Sequence, residues 1–336
     1  MTHDRRSVLK GLGLGAGAAL AQGPQAKAQT VAKPTGQARL KNLDITTIVT
    51  AAGLGLGVKT PRGVLDVAGV ERDRKAGLPT TALDVITGAG NFQALAALLS
   101  NGAAAAPTNR LIPEAQVRFG NIIDKPGKIL CVGLNYAAHA AEGGSPPPKE
   151  PIMFNKFNTA MNHHNGTIEI SKETTPPKWD YEAELVLVMA KGGKNIAEAD
   201  ALNHVFGYAS GNDFTNRDLQ NRSAQWMLGK TQDKSGPFGP WLVSADQVDV
   251  NNLNMKMIVN GEVRQDTNTK LMIFNCAQII AYCSRAFTLE PGDVIFTGTC
   301  EGVINGYPKD KQVWLKPGDK MVTQIEKIGE LHVTLT

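Results

Sequence analysis

Glycine and proline punctuate this chain at nearly every junction between short apolar runs, and that spacing limits what it can become. The 35 glycines and 18 prolines among 336 residues predict many turns and a β-rich body, not a helical bundle. Strand-like runs fall at 128–133, 167–170, 183–189, 205–210, 255–259, 293–297 and 321–325. Helical spacing covers 91–101, 196–204 and 272–285, with a further helix start at Asn135. In the first of these, Phe92, Leu95, Ala96, Leu98 and Leu99 would share a buried face. Strands grouped with few helices between them make the expected class α+β, mostly β.

The first residues read as an address. Residues 4–10 are Asp-Arg-Arg-Ser-Val-Leu-Lys, a Gly/Ala/Leu stretch runs to about Ala21, and Ala26-Lys27-Ala28 supplies small residues two apart. Charged start, apolar middle and small-x-small end together make an export signal. Arg5 and Arg6 resemble the twin-arginine type, although Val8 stands where that motif more often has Phe. Residues 1–28 are the expected signal peptide, so the mature chain would begin at about Gln29 and work in the periplasm. Without a functional leader it would be cytoplasmic. Gly11, Gly13 and Ala16 match a loose dinucleotide fingerprint, but no strand precedes them, and that reading is rejected.

Residues 29–40 read as a linker, 41–122 as a small N-terminal α+β domain and 123–336 as the main domain, with Lys125-Pro126-Gly127 at the boundary. The net charge of +4 comes largely from the leader, where Arg5, Arg6, Lys10 and Lys27 face only Asp4. The near-neutral remainder has no long basic run, which argues against nucleic-acid binding. No run approaches the ~20 apolar residues of a membrane span, so stable insertion is not expected. Among the cysteines, Cys276 and Cys283 would lie about 10 Å apart on a helix, too far for a bridge. There is no Cys-x-x-Cys pair, so structural zinc is not expected.

Chemistry concentrates in a few segments. In Asp180-Tyr-Glu182-Ala-Glu184-Leu-Val-Leu-Val, alternation puts Glu182 and Glu184 on one strand face, about 7 Å apart along it. Val186 and Val188 follow on that face. Like charges this close repel unless a cation joins them, and hard oxygen ligands suit Mg²⁺, Mn²⁺ or Ca²⁺ better than zinc. A Glu-x-Glu alone is more often a solvated strand face. Gly207-Tyr-Ala-Ser-Gly-Asn-Asp213 is a strand ending at a third carboxylate. In Asn135-Tyr-Ala-Ala-His139-Ala-Ala-Glu142, helical i, i+3 spacing lets Glu142 hold His139, which would fix its tautomer for general-base work. The following Gly143-Gly-Ser-Pro-Pro-Pro148 suits a hinge, with the His139 segment as a lid. Arg217 and Gln220 add donors, Lys230 adds a cation, and the Phe296-Thr-Gly-Thr299 strand end offers exposed hydroxyl and backbone donors suited to a carboxylate. His163-His164 is set aside as a metal pair, because neighbours on an extended chain point oppositely.

These pieces stand in a recognisable order. Residues 128–136, 180–184, Asn212-Asp213, 216–220, Leu228-Gly-Lys230, Val259-Asn-Gly-Glu262, 289–293 and Thr297-Gly-Thr299 resemble the fumarylacetoacetate hydrolase family over about 120–336. The resemblance implies a mixed β-sandwich roll, usually a homodimer, with a divalent cation, Mg²⁺ first and Mn²⁺ or Ca²⁺ as alternatives. It implies Glu182, Glu184 and Asp213 as metal ligands and His139 with Glu142 as a water-activating dyad on a lid. Lys230 would stabilise negative charge, and Arg217, Gln220 and Thr299 would line the substrate pocket. Cys300-Glu301 departs from the family pattern, which puts the substrate's identity in question. An exported location is also unusual for a family whose members work on catabolic intermediates inside the cell.

The expected activity is hydrolysis of a carbon–carbon bond in a small acylpyruvate-like acid through a metal-stabilised enolate. The same enolate could serve an isomerase of the 2-hydroxyhepta-2,4-diene-1,7-dioate type, or an oxo-acid decarboxylase or lyase. A non-catalytic periplasmic binder of oxo-acids is the alternative from another class, and the intact dyad argues against it.

Overall fold

The computed structural model describes residues 40–100, 108–170 and 177–336. The expected signal peptide and all but the last residue of the expected linker lie outside the described residues.

A 12-stranded sheet organises the fold. Its order is Leu111–Ile112, Gly63–Asp66, Gly53–Thr60, Asp44–Thr50, Gly236–Ser244, Val205–Asn212, Ala183–Met189, Val294–Thr299, Ile129–Gly133 and Ile152–Asn155. Phe119–Gly120 and Met161–Asn162 pair off this path. A second sheet has five strands in the order Glu262–Asn268, Asn254–Val259, Lys320–Ile325, Gly329–Leu335 and Gly166–Ile168. Pairing is mostly antiparallel, but Val294–Thr299 runs parallel to Ile129–Gly133, Gly329–Leu335 to Gly166–Ile168 and Gly236–Ser244 to Met161–Asn162. The body is α+β and mostly β, as the punctuation implied.

The strand Ala183–Met189 explains why the sequence settles into this arrangement. Every one of its residues is buried. Leu185, Leu187 and Met189 enter one core with Met255, Met257, Met321 and Leu331. Val186 and Val188 enter another with Leu56, Leu65, Phe238 and Phe296. A one-residue slip would exchange the two faces, so the register is strongly specified. Each such apolar side chain contributes roughly 1.5–3 kcal/mol on burial.

Residues 41–122, expected to form a small domain, add strands to the same large sheet, with Asp44 opposite Val243 and Ile45 opposite Leu242. The partner Gly236–Ser244 gave no strand signal, because it contains Gly236, Pro237, Gly239 and Pro240. Pro240 falls where the register against Val205–Asn212 shifts, between the Tyr208–Val243 and Ser210–Gly239 pairs. Prolines are tolerated in sheets at such irregularities.

Two helical expectations shift. The helix foreseen at 272–285 begins later, as Cys276–Ala286, because Asn275 and Gln278 form a capping box. Residues 196–204 yield only a 3₁₀ segment, Glu198–His204. No helix among the described residues is long and apolar enough to cross a membrane.

Candidate active site

Backbone pairing assembles the three carboxylates. Ala183 lies opposite Asn212 in the ladder, and one step beyond it the Asp213 amide donates to the Glu182 carbonyl at 2.9 Å. The Glu182 amide donates in turn to the Asn212 side-chain oxygen at 3.0 Å. Glu182, Glu184 and Asp213, all buried, each offer an oxygen, and these atoms lie within 4.8 Å of one another.

On the other side of Ala183–Met189 the pairing slips. Val186 faces Phe296, but Glu184 faces Thr299. The extra residue makes a β-bulge, a device that re-aims groups beside active sites. Here it turns the Gly298 amide onto Glu184 Oε2 at 2.8 Å. Gly298 has φ +100°, and a Cβ there would sit 2.6 Å from Asn135 Cβ and 2.9 Å from the Val132 carbonyl oxygen. Both the conformation and the space require glycine.

Seven buried charged side chains meet around these carboxylates: Asp180, Glu182, Glu184, Asp213, Lys156, Arg217 and Lys230. Lys230 Nζ contacts Glu182 Oε2 at 2.5 Å and Asp213 Oδ2 at 2.9 Å. Lys156 Nζ lies 2.7 Å from Asp213 Oδ1, and Arg217 Nη1 2.8 Å from Glu182 Oε1. Glu184 is the carboxylate with no cation beside it among the described residues. Burial, and then the charges of Asp213 and Glu182, push its pKa well above the usual carboxylate range. Burial acts the same way on Glu182, but Lys230 and Arg217 overcome it and hold Glu182 down to about 2. Burial also opposes the charge on Lys230, and the Asp213 and Glu182 charges more than offset this, so its pKa is raised.

Four carboxylates therefore face three cations, and the unmatched one belongs to the converging triad. An all-oxygen, buried, net-negative set fits a hard divalent cation such as Mg²⁺ or Mn²⁺. Glu182, Glu184 and Asp213 are the residues that could hold it.

Asp180 fixes the next layer. Its Oδ1 accepts from the amides of Tyr181 and Ile304, and its Oδ2 from the Asn305 amide and from Arg217 Nε. Arg217 Nη1 also donates to Gln220 Oε1 at 3.0 Å, while its buried Nη2 makes no hydrogen bond. His139 and Glu142 meet on the helix Ala137–Glu142, with His139 Nδ1 2.7 Å from Glu142 Oε1. Glu142 Oε2 accepts from the Gly302 amide at 2.9 Å. A cavity of about 200 Å³ brings His139, Glu142, Glu182, Arg217, Gln220, Lys230 and Thr299 to one space.

The Thr299 hydroxyl is not a free donor at a strand end; it donates to the Ala183 carbonyl at 2.9 Å and accepts from Gln265 Nε2 at 2.9 Å. Glu301, a concern in the sequence, is not among the residues lining the cavity. His163 and His164 stand elsewhere: His164 packs edge-on against Phe119 at 4.9 Å. Lys156 and Gln265 went unnoticed in the sequence. Lys156 follows a short apolar run with nothing local to mark it, and Gln265 reaches in from the other sheet.

Residues 128–336 match the model of the fumarylacetoacetate (FAA) hydrolase C-terminal family. The fumarylacetoacetate hydrolase domain-containing protein 2 homolog of Dictyostelium discoideum is 44% identical over 235 residues, covering 66% of this chain and 75% of that protein. The crystal structure of 2-hydroxyhepta-2,4-diene-1,7-dioate isomerase from Mycobacterium marinum is similar with a TM-score of 0.66 and 29% identity, over 88% of this chain and 98% of that one. Fumarylpyruvate hydrolase from Pseudomonas aeruginosa, solved in complex with Mn²⁺ and pyruvate, is similar with a TM-score of 0.57 and 37% identity, over 62% of this chain and 89% of that one. Sequence, fold and the order of the site residues agree: the chain belongs to the fumarylacetoacetate hydrolase family.

Proposed function

We propose that this chain is a divalent-metal-dependent hydrolase that breaks a carbon–carbon bond in a small acylpyruvate-like, 2,4-dioxo acid. The observation that carries the reading is the His139–Glu142 pair, 2.7 Å apart in the cavity that also receives Glu182 and Lys230. An isomerisation or a binding event consumes no water and has no need of a base placed to activate one. The relative solved with Mn²⁺ and pyruvate supports both the metal and the product class.

A cation held by Glu182, Glu184 and Asp213 would supply Lewis-acid polarisation of the 2-oxo acid. Glu142 fixes the His139 ring through Nδ1, leaving Nε2 to take a proton from water. The water oxygen bonds to the distal carbonyl carbon, the bond to the neighbouring methylene carbon breaks, and that carbon takes the proton back from His139. A carboxylic acid and pyruvate result. Lys230 balances the negative charge that develops beside it. Arg217 Nη2, the buried donor without a partner, and Gln220 hold the substrate carboxylate. Thr299 forms part of the cavity wall.

The test is a panel of oxo-acids with Mg²⁺ or Mn²⁺, read by mass spectrometry for cleavage, isomerisation and CO₂ loss. His139→Ala should abolish cleavage, by ~10²–10⁴-fold, while calorimetry shows Mn²⁺ still bound. Cleavage that survives EDTA, or is indifferent to His139→Ala, sinks the reading. Isomerisation without cleavage would move the chain to the other activity named among its relatives.

We also propose that Arg5-Arg6 directs export by the twin-arginine route to the periplasm, and that the enzyme works there as a homodimer. The intact mass of the exported protein should correspond to a start at about Gln29, and light scattering should give twice that mass. Retention in the cytoplasm at full length, or a monomer, would remove these two elements.

A further inference from the structure

The cavity beside the carboxylates has an aromatic side. The Lys230 ammonium lies 5.1 Å from the Phe154 ring centroid, and Phe154 meets Trp226 edge-on at 5.7 Å. Phe154, Trp226, Val132 and Leu134 all line the cavity. Trp226 follows an exposed stretch, 221–225, yet is itself half-buried. Its ring packs over Gly133, where a Cβ would lie 2.4 Å from Trp226 Cζ3. Glycine there makes room for the indole.

Charge points the same way. The basic groups lining the cavity are Arg217, Lys230 and His139, and each already faces a carboxylate of the protein. Among the described residues that line the cavity, Arg217 Nη2 is the buried donor without a partner, which suffices for one carboxylate. A divalent cation would leave the seven-membered buried cluster with one excess positive charge, which a single carboxylate cancels. A second carboxylate would sit against Phe154 and Trp226 without a counter-ion, and an unpaired charge against apolar surface is strongly disfavoured.

We infer that the site selects oxo-acids with a single carboxylate and an uncharged, apolar distal group seated against Trp226 and Phe154. The inference rests on the oxo-acid reading above and names its substrate class. Calorimetry with Mn²⁺-loaded protein tests it with 2-oxohexanoate and 2-oxohexanedioate, which match in length and differ in ending as methyl or carboxylate. Neither has the second oxo group that cleavage needs, so only binding is read. The expected result is tenfold or tighter binding of 2-oxohexanoate. Trp226→Ala should erase most of that preference, Trp226→Phe should keep it, and Trp226→Arg should reverse it. Equal binding, a preference for the diacid, no binding of either acid, or a preference untouched in Trp226→Ala overturns the inference. Selective binding with no turnover of any 2,4-dioxo acid would instead sink the hydrolase reading and leave the selectivity standing.

Discussion

Glutamine in place of Glu184 and in place of Glu182 probes how charge is divided within the site. With the metal chelated away at neutral pH, burial and two neighbouring anions favour the neutral form of Glu184. Glu184→Gln then exchanges one neutral group for another of the same shape and keeps an oxygen for the Gly298 amide. Its effect on stability should stay within ~1 kcal/mol, the size of a single neutral hydrogen bond. Glu182→Gln is different in kind. It removes the carboxylate that both Lys230 and Arg217 contact, at 2.5 and 2.8 Å. Removing one partner of a buried ion pair costs ~3–5 kcal/mol. With an unfolding entropy of ~2.1 cal/mol/K per residue over the whole chain, that lowers Tm by roughly 4–7 °C. Differential scanning calorimetry in EDTA measures both. Added Mn²⁺ at a hundred times its Kd should stabilise the unmutated protein by ~2.7 kcal/mol and either variant by much less. A Glu184→Gln protein destabilised as much as Glu182→Gln would refute this account of the charge distribution.

Mn²⁺ binding should release protons and weaken as pH falls. The raised pKa of Glu184 means that apo stability drops as pH rises from the usual carboxylate range through that raised value, and there the metal displaces a proton. The depressed pKa of Glu182 acts oppositely: its contribution is full above the usual range and is lost as pH falls toward about 2. Calorimetry in buffers of different ionisation enthalpy counts the protons, and a pH-independent affinity between pH 5 and pH 8 would contradict the assignment of Glu184. Gly298→Ala should cost more than the ~1 kcal/mol of an ordinary left-handed glycine, because its Cβ would meet Asn135 and Val132. It should also weaken Mn²⁺ binding through Glu184, and a thermal scan with a metal titration decides both.

Much of this site was legible in the sequence because its parts follow local rules. Period-two alternation placed Glu182 and Glu184 at the head of a two-faced strand, and i, i+3 spacing paired His139 with Glu142. Other features depend on contacts that no local pattern encodes. Lys156 reaches Asp213 across 57 positions, and Gln265 joins the second sheet to Ala183 and Thr299. The strand Gly236–Ser244 was hidden by its prolines, which sit at a break in register that only the neighbouring strand defines. The late start of Cys276–Ala286 could have been read from Asn275 and Gln278, since a capping box is a local signal.

The cysteines bear on how such a chain withstands oxidation. Cys131, Cys276, Cys283 and Cys300 are all buried and unpaired, and burial pushes each thiol's pKa up, for Cys276 and Cys283 to about 12. The thiolate is the reactive form, so the folded protein offers an oxidant almost nothing to attack. The unfolded chain offers four ordinary thiols and no native disulfide to guide their pairing. Its resistance to oxidative cross-linking is therefore a property acquired on folding, and it is secured only if folding precedes exposure. A route that carries finished proteins across a membrane imposes that order, whereas one that threads an extended chain into an oxidising compartment reverses it.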